Sequence, residues 1–204
     1  MKDIKELIQE LESNKDKEVK SFDQLLEYYQ CFNDRNILIG EIDENIGIAV
    51  DSLIRFWNNV DKGIPADQRQ PIKIYINSPG GLLTSTFTMI DTIKLSKTPV
   101  YTIAIGETYS GGFFTFLAGH KKYAYPHASF LYHEGATANG GDANKFRNFA
   151  KFYEVQLEKL RQVVLENSSV SEEEYEKHIK DDWWLTAEEA VEYGIADEIL
   201  TELI

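Results

Sequence analysis

Between residues 36 and 132 the chain alternates short apolar runs with stretches of helical periodicity, and this alternation limits the fold more than any other feature. The runs NILIG (36–40), IKIYI (72–76) and PVYTIAIG (99–106) read as buried strands. After the first, Ile46, Val50, Leu53, Ile54 and Trp57 recur at helical spacing. After the second, residues 82–95 do the same through Leu83, Phe87, Ile90 and Leu95. Parallel neighbours need a crossover of about a dozen residues, which these helices supply. Strand, helix, strand in repetition predicts an α/β protein with a largely parallel sheet.

The rest of the chain extends the pattern. Short strands are expected at 122–125 and 129–132, then a Gly-rich loop, GATANGG (135–141), and a long helix over about 142–166. Two shorter helices follow. Ser171 with Glu174, and Thr186 with Glu189, each fit a capping box, and Gly194 is placed to end the second helix. At the other end, Ile4, Leu7, Ile8 and Leu11 form one apolar stripe on a charged helix, and the polar run 13–21 reads as a linker. The expected division is therefore 1–20, an amphipathic helix and linker, and 21–204, the main body.

Charge narrows the function. The chain carries a net charge of −13, which argues against nucleic acid or an anionic membrane as its main partner. Residues 166–200 hold twelve carboxylates against Lys177 and Lys180, the pattern of a solvated face. Cys31 is the single cysteine, so no internal disulfide forms, and a packed thiol is its expected role. The N-terminal twenty residues are charged throughout, unlike a signal peptide, and no run approaches the roughly 20 apolar residues of a membrane span. A cytoplasmic protein is expected. Neither a nucleotide-binding Gly-x-x-x-x-Gly-Lys-Ser/Thr nor a zinc-type His-Glu-x-x-His motif is present, so no metal and no cofactor are expected.

Two glycine-bearing turns follow predicted strands, NSPGG (77–81) and ETYSGG (107–112), where α/β sheets collect ligands. Ser110 stands at the head of a helix. A carbonyl attacked by its hydroxyl would need two donors for the developing charge, and the N–H groups of Gly81 and Gly111 are candidates. Each turn alone is equally a plain Gly-rich helix start. The nucleophile-elbow pattern is not met, because Thr108 occupies the place of its first glycine. Among the four histidines, His120 and His127 lie in a polar connection and His178 on an acidic helix. His133 ends the apolar strand SFLY, a strand-to-loop position. A carboxylate to orient its ring could come from Asp181 or Asp182.

Together, YINSPGG, the SGG after a buried strand, YHEG and WLTAEEAVEYGIADEIL resemble the proteolytic subunit of the Clp protease, a serine peptidase with a crotonase-like fold. The likeness runs in order from about Ser21 to Leu200. It implies Ser110 as nucleophile, His133 as base and Asp182 as the orienting acid, with Gly81 and Gly111 as the oxyanion hole. Asp182 is preferred over Asp181 because it stands three residues before Leu185, as the family's acid stands before its own motif. It also implies a protruding strand–helix handle (about 134–166), a homo-oligomer of stacked rings, and peptides or unfolded proteins as substrates.

Departures mark a divergent or phage-type member. Tyr109-Ser110-Gly111-Gly112 replaces the usual small residues and methionine, His133-Glu134-Gly135 replaces His-Gln-Pro, and the N-terminal helix stands in place of the axial-loop segment. An ATP-driven unfoldase is the family's partner, and that last departure weighs against it here. Two other readings stay beside this one. One is a crotonase-type acyl-CoA enzyme, which uses similar N–H donors without a serine nucleophile. The other is a catalytically silent Clp-like assembly subunit.

Overall fold

In the computed structural model, residues 31–138, 140–179 and 181–204 are described. The chain divides into two units, Met1–Asp34 and Arg35–Ile204. The expected N-terminal helix and its linker lie outside the described residues. Cys31, expected to be packed, is exposed.

The second unit is built on a seven-stranded sheet. Its elements are β1 (Asn36–Ile39), α1 (Glu44–Val60), β2 (Ile72–Ser78), α2 (Leu83–Leu95), β3 (Val100–Tyr109) and α3 (Gly111–Leu117), then β4 (Lys121–Ala124) and β5 (Ser129–Tyr132). The chain continues through α4 (Ala143–Asn167), α5 (Glu172–His178), β6 (Trp183–Thr186), α6 (Ala187–Glu192) and β7 (Glu198–Ile199). The spatial order is β1-β2-β3-β4-β7, all parallel. This is the α/β fold with the parallel-dominated sheet that the alternation requires.

Each element has a local cause. Asp43 caps α1, its Oδ1 accepting the N–H groups of Asn45 and Ile46 at 2.9 Å. Gly47, Val50, Ile54 and Trp57 then give α1 one buried stripe. Ile72, Ile74 and Ile76 alternate along β2 and are fully buried. Helix α6 starts at a complete capping box, with Thr186 and Glu189 bonding each other's backbone N–H.

The strand that organises the site is β3. Its first half, Tyr101–Ala104, pairs with β4, and its second half, Glu107–Tyr109, pairs with β5. The sheet therefore forks along β3. The branch carries β5 past the end of β3, and β6 adds to β5 antiparallel, with Tyr132 opposite Trp183 as the last register pair. The sequence pattern predicts no strand over 183–186. Four residues, the last of them already the helix cap Thr186, are too few for a period-2 signal.

A buried ion pair closes the opposite end of the sheet. Arg35, with φ of 56°, donates to both oxygens of Asp61, at 2.6 and 2.7 Å, and Thr98 donates to Asp61 at 2.9 Å. The Arg35 guanidinium holds the Asp61 carboxyl below the usual carboxylate range.

Candidate active site

Strand β3 ends at Tyr109, and Ser110 is the N-cap of α3 with φ 53° and ψ −120°. These are the angles of the first central residue of a type II′ turn, which glycine normally occupies. A serine held there costs about 1–3 kcal/mol. Two backbone bonds hold it: the Ser110 N–H donates to Leu131 O at 2.9 Å, and Ser110 O accepts from Phe114 N–H at 3.2 Å. N-cap serines usually spend their hydroxyl on the helix, but Ser110 makes no side-chain cap bond. Its Oγ is left for other chemistry.

The turn after β2 is shaped around this serine. A Cβ on Gly80 would fall 2.6 Å from Ser110 Cβ and 2.9 Å from Tyr109 O, so only glycine lets the two turns approach. On either side of Gly81, the Ile42 N–H donates to Gly80 O at 2.9 Å and the Leu82 N–H to Ile42 O at 2.7 Å. Successive N–H groups of extended backbone point to opposite sides, so the Gly81 N–H points away from Ile42. Among the described residues, the N–H groups of Gly81 and Gly111 enter none of the turn and loop bonds that fix this corner. A Cβ on Gly111 would lie 3.5 Å from Gly81 N and 2.5 Å from Thr86 Oγ1, which brings the two turns together at one point.

Ser110, His133, Gly81 and Gly111 line one cavity of about 380 Å³. His133 is half-buried and follows β5 directly. The structure thus brings together four of the five residues expected at the site. The fifth stands apart. Asp181 and Asp182 are exposed, and neither lines the cavity. Among the described residues, no hydrogen bond joins the Ser110 hydroxyl, the His133 ring and either aspartate. Catalytic hydrogen bonds are often long before substrate binds.

The remaining histidines have other work. His120 Nδ1 accepts the Val100 N–H at 2.9 Å, and His127 is exposed. His178 was expected on a solvated face, but it is half-buried and its ring stacks on Trp183.

Helix α4 supplies a wall that sequence reading missed. Phe149, Tyr153, Gln156 and Leu160 all face the cavity, joined by Phe114 and Thr86. Their spacing, a stripe of 4, 3 and 4 residues, was the available signal. Phe149 and Tyr153 stack at 6.1 Å, and the Tyr153 hydroxyl donates to Glu134 O at 3.0 Å, tying α4 to the residue after His133. Burial, then the Glu134 charge, pushes the Tyr153 phenol up. It remains a neutral donor.

A forked parallel sheet with a cavity at the C-terminal ends of β2, β3 and β5 is the arrangement of an α/β enzyme whose site is built from strand-end turns. The family model for Clp protease matches residues 24–203, nearly the whole chain. The chain belongs to the Clp protease family, and its general activity is that of a peptidase of this kind.

Proposed function

We propose that this chain is a serine endopeptidase that cuts peptide bonds through an acyl-enzyme, with Ser110 as nucleophile, His133 as base and Asp182 as the orienting acid. The observation that carries this reading is the strained backbone of Ser110, a residue that makes no side-chain cap bond and lines one cavity with His133, Gly81 and Gly111. Strain of this kind persists where the surroundings over-determine it, and it clusters at active sites.

The steps follow from the chemistry. His133 takes the Ser110 proton as Oγ attacks the substrate carbonyl, and the oxyanion is met by the Gly81 and Gly111 N–H groups. The imidazolium then protonates the leaving amine. Water, deprotonated by His133, hydrolyses the ester and frees Ser110. Asp182 is favoured over Asp181 by the sheet register. The register ends at the Tyr132–Trp183 pair, and continued one step further it would set Asp182 opposite His133, on the face that antiparallel partners share. Asp181 would point to the other face.

The active form is a homo-oligomer of cytoplasmic location whose chamber admits peptides or unfolded chains. Exposed apolar residues on α4, namely Phe146, Phe152 and Val155, support a second copy as the partner of that helix. Cleavage of a short fluorogenic peptide by the native assembly, lost in Ser110→Ala at unchanged native mass, is the expected result. Cleavage that survives the substitution would refute the assignment.

A further inference from the structure

Helix α5 grips the ends of β5 and β6 at Tyr132 and Trp183, the residues next to His133 and Asp182. Tyr132, just before His133, shares a hydroxyl–hydroxyl hydrogen bond of 2.5 Å with Tyr175, and the two buried rings meet edge to face at 5.5 Å. Trp183, just after Asp182, lies flat against His178, with ring centroids 4.2 Å apart and planes 5° from parallel. Tyr175 and His178 are three residues apart, so they lie on one face of α5. Tyr132 and Trp183 are themselves register partners, the last pair of the β5–β6 ladder.

We propose that α5 acts as a clamp that sets the His133–Asp182 distance, with Tyr175 and His178 as positioning residues. The proposal rests on the peptidase reading above. The ladder stops at Tyr132 and Trp183, and among the described residues no backbone hydrogen bond joins His133 to Asp182. Strand β6 is four residues long and, among the described residues, pairs with β5 alone. What holds the pair is therefore the side-chain grip one residue behind each member. The grip is braced in turn. Glu174 Oε1 accepts from His178 Nε2 at 3.0 Å and from the Tyr193 hydroxyl at 3.3 Å, while Tyr193 packs edge-on against Trp183 at 5.1 Å. The Asp181 N–H also returns to His178 O at 3.3 Å. A hydroxyl pair fixes direction and a flat stack fixes a plane, so the two strand ends move only with α5.

The test is the rate at which a fluorophosphonate labels Ser110 in the full chain, measured with and without Asp182→Asn. His178→Ala should slow labelling roughly tenfold to hundredfold in the otherwise wild-type protein. His178→Phe, which keeps a ring over Trp183, should restore most of the rate. In the Asp182→Asn background, His178→Ala should change the rate by less than about twofold, because the group it positions is gone. Equal slowing in both backgrounds, or no slowing in the wild type, overturns the clamp while the peptidase reading stands. A wild type that is not labelled at Ser110 overturns both. Should His178→Ala fail to fold, His178→Gln removes the ring but keeps a donor for Glu174 and carries the same expectations. Tyr175→Phe tests the other jaw, with slowing again confined to the background that retains Asp182.

Discussion

The Ser110 N–H donates to the Leu131 carbonyl at 2.9 Å, which ties the residue after β3 to the strand whose end carries His133. The proposed nucleophile and base therefore share a frame made by the fork in β3. The fork exists because β3 is ten residues long and pairs with a different neighbour along each half.

Gly80 is where that frame presses directly on Ser110. Gly80→Ala places a methyl 2.6 Å from Ser110 Cβ at a φ of 99°, so the turn must shift. A shift of about 1 Å at the reacting atoms costs on the order of 10²-fold in rate. Peptide hydrolysis should fall by at least this factor, while the far-UV circular dichroism keeps its wild-type form. Activity within a few-fold of wild type would mean that the two turns are not packed as described.

The two aspartates should separate sharply. Loss of the orienting acid in a well-studied serine protease lowers turnover about 10⁴-fold. Asp182→Asn should lower kcat by orders of magnitude and Asp181→Asn by no more than a few-fold. Equal, mild effects would mean that another group orients His133.

Much of this layout was legible in the sequence, and what was not has physical reasons. β5 matches its expected bounds, and α4 spans 143–167 where 142–166 was expected, because long periodicity and a Gly-rich start announce it. β3 runs past PVYTIAIG through polar Glu107 and Thr108, since pairing with β5 sustains it where hydrophobicity does not. The backbone angle of Ser110 and the α5 contacts arise only from tertiary packing. So does the Arg35–Asp61 pair, 26 residues apart in the chain.

That pair sets a stability expectation. Both residues are buried, so Asp61→Asn strands the Arg35 charge and should cost about 3–5 kcal/mol at neutral pH. The Asp61 carboxyl is held below its ordinary value, so its contribution is present above the carboxylate range and lost as pH falls through it. Denaturant titrations should show the gap between wild type and Asp61→Asn shrinking below about pH 4. A gap that is constant or widens in acid would contradict the pairing.

The α4 surface makes an assembly prediction. Phe146 and Phe152 are more than half exposed, at 56% and 58%, although α4 is long and well formed. Light scattering should report a multiple of the 23.4 kDa chain, and Phe146→Asp with Phe152→Asp should lower that mass. A monodisperse wild-type monomer would count against an α4-mediated assembly.

The central claim is that Ser110 is the nucleophile. Peptide mapping by mass spectrometry after fluorophosphonate treatment tests it most directly, in wild type, Ser110→Ala and His133→Ala. The account predicts one adduct in the wild type, on Ser110, none in Ser110→Ala, and a rate reduced by about 10³-fold or more in His133→Ala. An adduct on another residue, or labelling of Ser110→Ala at the wild-type rate, would contradict it.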